Sequence, residues 1–158
     1  MQLTAEAIYG FSESMLKSRY DDPKPTPGLH MDLWRLCCDD HKYVAAAAPR
    51  GHAKSTAVTH AFSLALVLFR EKSHGIIISD TEKQASDFLN DIKLELQENE
   101  PLIEAFGIKS FIKETTTEII VEFDDGEQFR ILAKGSGQKI RGKKWRNKRP
   151  DFIIGDDL

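Results

Sequence analysis

With 158 residues, 41% of them hydrophobic and 30% charged, the chain is sized for one folded core, and its balance excludes a disordered polyelectrolyte. The formal charge of -3 is unevenly spread: Lys139 to Arg149 holds seven bases and no acid, so the remainder carries -10 and a polyanion contact is expected at one place. The longest apolar stretch, Ala57 to Phe69, is broken by Thr59, His60 and Ser63 and is shorter than the roughly 20 residues of a membrane span. The opening MQLTAEAIYG has neither the basic start nor the apolar run of a secretory leader, so no membrane association and a cytoplasmic setting are expected.

In chain order, Ala5, Ile8, Phe11, Met15 and Leu16 line one face of an N-terminal helix predicted over Thr4 to Lys17. Asp21 to Gly28, with three prolines and a glycine, is a predicted loop. A second helix is expected over His30 to Cys38, with Trp34 on its apolar side. Cys37 and Cys38 are adjacent and have no CxxC spacing, which supports neither a disulfide framework nor a zinc site and favours buried thiols.

Tyr43 to Ala48 is short, apolar and followed by Pro49 and Gly51, the pattern of a buried strand ending in a turn. Lys54 to Arg70 is long enough for the helix that follows. Gly75 to Ser79 is a β-branched run and a second buried strand. Thr81 and Gln84 make a capping box for a helix whose face carries Ala85, Phe88, Leu89, Ile92 and Leu96. After a short piece at Pro101 to Phe106, Glu118 to Phe123 and Gln128 to Ala133 flank Asp124-Asp125-Gly126 as an antiparallel hairpin. Gly135, Ser136 and Gly137 open the basic segment, and Phe152, Ile153 and Ile154 form a last strand. Alternation of strand and helix predicts an α/β fold with a mainly parallel central sheet flanked by helices, plus the added hairpin.

A strand, tight loop and helix around residues 43 to 70 is the setting in which a phosphate loop has meaning. Against the pattern GxxxxGK[ST], the chain offers Ala48-Pro49-Arg50-Gly51-His52-Ala53-Lys54-Ser55: lysine and serine match, and both reference glycines are alanine. Glycine serves there because backbone N–H groups must curl around phosphate oxygens, often at positive φ, and alanine is the smallest departure. In a P-loop NTPase, Lys54 neutralises the β and γ phosphates, the Ser55 hydroxyl ligates Mg²⁺, and the helix start adds its dipole. The alternative is an ordinary strand-to-helix turn with an exposed lysine. Asp151 to Asp157 supplies the other half, an apolar strand ending in two acids. Asp156 is the expected metal-side carboxylate and Asp157 the expected general base for an attacking water; the alternative is a solvated acidic turn.

Pro49 to Thr56, Gly135 to Gly142 and Arg149 to Leu158, in that order and spacing, resemble the large terminase subunit of tailed bacteriophages over approximately residues 30 to 158. Residues 1–29 are expected, from their own pattern, to form an N-terminal helix with a proline-rich loop, and the resemblance implies 30–158 as part of a P-loop ATPase domain. It implies an ATP-driven motor that moves double-stranded DNA into a prohead, working as a homo-oligomeric ring with a portal protein and a small terminase subunit. Position by position, it places Pro49, Arg50, Gly51, His52, Ala53, Lys54, Ser55 and Thr56 on the nucleotide and Ser55 and Asp156 on Mg²⁺. Arg50 becomes a candidate for stabilising the γ phosphate. Trp34, or Tyr43, falls where the adenine is read, although helical spacing also makes Trp34 a core residue.

Lys139, Arg141, Lys143, Lys144 and Arg146 are expected to contact DNA phosphates. Arg141 has the alternative role of an arginine finger, and Trp145 either stacks on a base or anchors the loop. The family pattern continues beyond the acidic pair with a further acid, a coupling motif and a nuclease, none of which lies within these residues. Nucleotide binding with impaired hydrolysis is the resulting expectation. The competing readings are a non-catalytic nucleic-acid-binding or assembly module and a helicase-like ATPase.

Overall fold

The computed structural model describes residues 2–47, 53–140 and 144–158, and the chain divides into two compact units, Met1–Glu71 and Lys72–Leu158. The first unit is helical. Helix α1 (Ala5–Phe11) starts where the Thr4 hydroxyl accepts the Ala7 N–H at 3.1 Å, and the chain continues through a π-helical turn at Ser12–Leu16. Ile8, Phe11 and Leu16 are buried while Met15 is only half-buried, because the wider turn moves the apolar stripe off strict 3.6-residue spacing. The proline-rich loop is tied back through Glu13, which accepts from the Thr26 hydroxyl and from Lys17. These two contacts hold its carboxyl below the ordinary range. Helix α2 (Gly28–Cys38) buries His30, Leu33 and Trp34 and packs against α1, so the N-terminal helix belongs to one unit with the segments that follow it. Cys37 and Cys38 are half-buried, and burial pushes both thiols up, Cys38 to about 11.

Helical structure resumes at Lys54, runs through a π-helical stretch at Thr56–Phe62 and ends in α3 (Ser63–Leu68). Its end is closed by Arg70 at φ 63, with the Glu71 N–H donating to the Leu66 carbonyl at 3.0 Å and the Arg70 N–H to the Val67 carbonyl at 3.3 Å. Ala57, Ala61 and every residue of α3 are buried.

The second unit is a five-stranded open sheet in the order β2-β3-β4-β1-β5: β1 (His74–Ser79), β2 (Ile108–Glu114), β3 (Glu118–Phe123), β4 (Gln128–Gly135) and β5 (Phe152–Gly155). Strand β1 runs parallel to both β4 and β5, whereas β2–β3 and β3–β4 are antiparallel. Helix α4 (Glu82–Glu98) packs on β1 and β4, and α5 (Glu100–Phe106) starts at Asn99 and ends at Gly107, φ 69. The α/β class and the β3–β4 hairpin agree with expectation.

Two expectations are corrected. The sheet is mixed rather than mainly parallel, because β2 extends the hairpin as a third antiparallel strand. Tyr43 to Ala47 form no strand and are exposed, Tyr43 by 84%. Apart from Tyr43 and Val44 that run is alanine, which has low strand propensity and little area to bury. Ala48, the last residue of the expected strand, lies outside the described residues.

Candidate functional site

The phosphate-loop half belongs to the first unit. Ala48, Pro49, Arg50, Gly51 and His52 lie outside the described residues, as do Arg141 and Lys143. Ala53, at the second reference-glycine position, has φ 49, the left-handed region in which glycine is at ease and an L-residue is not. Lys54, Ser55 and Thr56 follow directly, half-buried, in the opening turn of the helix. The Ala57 N–H donates to the Ala53 carbonyl at 3.1 Å. The N–H groups of an opening turn have no intrahelical partner and point along the axis, the arrangement that receives an anion. The conformation at Ala53 carries a prediction: Ala53→Gly raises stability by about 1 kcal/mol, since the left-handed conformation costs an L-residue that much. A urea melt reads it, and a lower midpoint contradicts the assigned backbone.

Trp34 departs from its expected role. It is 1% exposed, its indole N–H donates to the Ala57 carbonyl at 2.9 Å, and its ring lies 5.9 Å from that of His30. No face is left open for an adenine, so Trp34 is a core residue. Large aromatic surface at helical spacing is buried for its hydrophobic payload.

The acidic half belongs to the second unit, at the carboxyl ends of the three parallel neighbours. Ser79 is in register with Gly135, and Ile78 with Gly155, so Asp156 stands beside Ser79, and Asp80 emerges between Ser136 and Asp157. Ligands of open α/β sheets bind outside such strand ends. Asp156 is buried; its N–H donates to the Ile78 carbonyl at 2.9 Å and its own carbonyl accepts the Ser79 hydroxyl at 2.7 Å. Asp157 is exposed and left-handed at φ 54; its carbonyl accepts the Asp80 N–H at 3.1 Å and its carboxylate accepts the Gln84 side-chain amide at 3.1 Å. The Thr81 hydroxyl caps α4 by accepting the Gln84 N–H at 3.1 Å. Half of the capping box is therefore present, while the Gln84 side chain turns to Asp157 instead of back to the cap. A Cβ on Gly135 would come 2.9 Å from the Glu82 nitrogen, so glycine lets the first turn of α4 lie against the end of β4. The Gln138 side chain closes this loop, accepting the Gly135 N–H at 2.8 Å and contacting Glu82.

The basic segment divides between the two ends of the sheet. Lys139 is exposed just beyond the carboxyl end of β4. Trp145 and Lys148 instead exchange two backbone hydrogen bonds of 2.9 Å around Arg146 (φ 50) and Asn147 (φ 64), the positive-φ pair of a tight two-residue hairpin. This hairpin lies at the amino end of β1, where the rings of Trp145 and His74 are 5.9 Å apart in an edge-on contact. With a rise of about 3.3 Å per residue, the two ends of β1 are about 16 Å apart. The hairpin cations therefore sit at the opposite end of the strand from Asp156 and Asp157. Lys144, Arg146, Lys148 and Arg149 are exposed, and the Arg146 guanidinium lies 5.8 Å from the centre of the Trp145 ring. In the described structure Trp145 is an anchor, half-buried against His74.

Sequence reasoning passed over Asp80 and the side chain of Gln84, which both hydrogen-bond Asp157, and over Gln138, which joins the end of β4 to Glu82. No cluster of three or more metal-ligating side chains forms among the described residues. Mg²⁺ of the kind expected takes one or two carboxylates plus phosphate oxygens and water, and buried Asp156 with neighbouring Asp157 supplies hard oxygen donors of that type. No helix among the described residues is long and apolar enough to cross a membrane. No protein-family model and no curated protein matches the chain.

Proposed function

We infer that the chain binds ATP with Mg²⁺ as the nucleotide-binding part of a DNA-packaging motor of the large terminase type. The observation that carries this reading is the positive φ of Ala53 immediately before Lys54 and Ser55 at a helix start. An L-residue is held there in the conformation a phosphate loop demands, in the sequence context that the motif specifies. In this reading Lys54 supplies positive charge to the β and γ phosphates, the helix-start N–H groups bind their oxygens and the Ser55 hydroxyl is a ligand of Mg²⁺; Asp156 takes the role of metal-side carboxylate on the resemblance alone. Asp157, whose carboxylate accepts the Gln84 side-chain amide, would be the base that accepts a proton from an attacking water. Bound Mg²⁺ would contribute charge neutralisation at the phosphates. Double-stranded DNA, a portal protein, a small terminase subunit and a ring of like subunits are the partners this function entails.

Titration calorimetry with Mg-ATP tests the reading. Lys54→Ala is expected to weaken binding roughly ten- to hundredfold, the worth of about 1.5–3 kcal/mol for a charge-assisted hydrogen bond. Equal affinity in the two proteins, or no binding by either, removes the phosphate-loop assignment.

A second reading, a non-catalytic nucleic-acid-binding module, has its own support in the four exposed cations of the Lys144–Arg149 segment at the far end of β1. Salt-dependent DNA binding that is lost with those cations and indifferent to nucleotide would favour it.

A further inference from the structure

We propose that His74 is a proton-operated latch for the Trp145–Lys148 hairpin: the neutral imidazole keeps the hairpin docked on the amino end of β1, and protonation releases it. This inference does not depend on nucleotide binding.

His74 is fully buried, and three contacts join it to the 145–151 segment. Its ring meets the Trp145 ring edge-on at 5.9 Å; its backbone N–H donates to the Asp151 carboxylate at 2.9 Å; its carbonyl accepts the Asp151 N–H at 2.8 Å. The Arg130 Nη1 lies 3.4 Å from His74 Nε2, and a guanidinium can only donate, so Nε2 is the acceptor and a neutral ring carries its proton on Nδ1. Nδ1 is buried and has no hydrogen-bond partner of good geometry, although the Lys148 backbone carbonyl of the hairpin acts on the ring.

A second ring proton would remove the acceptor facing Arg130 and bring two cations together. The carboxylates around the ring are already engaged by other donors. Glu118 on β3 already accepts from Arg130 Nε at 2.5 Å with one oxygen and from Lys113 of β2 at 2.6 Å with the other. Asp151 already accepts the Ser73 and His74 N–H groups, at 3.0 and 2.9 Å, with its two oxygens. Burial first, and then Arg130, lower the imidazole's proton affinity, against the smaller raising effects of the Lys148 carbonyl, Asp151 and Glu118. The ring is therefore neutral near pH 7, and an imidazolium must turn out of the sheet surface toward Trp145, displacing the indole that anchors the hairpin.

The test uses the full chain labelled with 5-fluorotryptophan, followed by ¹⁹F NMR from about pH 8 to about pH 5, across the ordinary histidine range. The Trp145 resonance, assigned with Trp145→Phe, is expected to titrate below the ordinary histidine midpoint while the Trp34 resonance keeps the dispersion of a folded core. Amide protection over residues 144–151, corrected for intrinsic exchange, should fall by about tenfold per pH unit in the titrating range, the slope of one proton. In His74→Gln, whose amide oxygen still accepts from Arg130 without titrating, both changes should vanish. A pH-invariant Trp145 signal, or the same titration in His74→Gln, overturns the latch. Should His74→Gln fail to fold, the wild type decides: protection lost only at 144–151 supports the latch, and loss spread equally over β3 and β4 overturns it.

Discussion

Glu118→Gln is expected to destabilise the second unit by about 3 kcal/mol, toward the lower end for breaking a buried ion pair because one of the two cations is half exposed. Glu118 is 9% exposed, and its carboxylate bridges Arg130 at 2.5 Å and Lys113 at 2.6 Å. Glutamine keeps the volume and loses the charge, leaving the Arg130 guanidinium against the sheet without its counter-ion and next to His74. Urea unfolding with the slope held constant measures the change. A loss below about 0.5 kcal/mol, the ordinary range of surface substitutions, would show that solvent already screens the triad.

The same residue gives a pH signature of definite sign. Burial raises the affinity of Glu118 for a proton, but the hydrogen bonds from Lys113 and Arg130 outweigh it and set the folded value below the ordinary 4.5. A carboxylate with a lowered folded value contributes stability that is complete above its unfolded pKa and is lost as pH falls through the folded one. Wild type should therefore lose stability on acidification below the ordinary carboxylate range more steeply than Glu118→Gln. His74 acts with the same sign at higher pH: its folded value is depressed, so its contribution is complete above the ordinary histidine value and fades as pH falls through the folded one.

Trp34→Ala is expected to cost the first unit about 3–5 kcal/mol, as for a large aromatic removed from a packed core. Trp34→Phe should cost about 1–3 kcal/mol, chiefly because the Ala57 carbonyl loses the indole N–H that donates to it at 2.9 Å. The milder variant is the informative one for function. A core tryptophan leaves Mg-ATP affinity unchanged in Trp34→Phe, whereas an adenine platform would lose affinity with loss of the indole. Thermal unfolding and calorimetry on the same sample separate the two.

Much of the fold is legible in local patterns. The Thr81 cap, the apolar face of α4, the Gly126 turn and the β-branched run at Ile76 to Ile78 each state their structure within a few residues, because capping, amphipathic spacing and turn geometry act locally. Strand β2 is not legible in this way. Its register shifts between Ile108 and Ser110 and between Phe111 and Lys113 break the two-residue alternation, and its edge position leaves Lys109, Lys113 and Glu114 on the strand. Tyr43 to Ala47 misleads in the other direction, since an apolar run reads as a strand whether or not a partner lies beside it.

By itself the sequence singled out the candidate residues: Lys54 and Ser55 after a small residue, two acids after an apolar run, and a dense basic segment. It also determined the helix and hairpin that frame them, because each depends on neighbours within a turn or two. The tertiary structure alone decided where those residues stand. Strand order, set by pairing among segments distant in sequence, put Asp80 and Gln84 beside Asp157 and sent Trp145 to the opposite end of β1. Core packing took Trp34 out of reach of a ligand and buried His74 against Arg130. Long-range pairing and burial depend on which surfaces meet, and no local pattern encodes that.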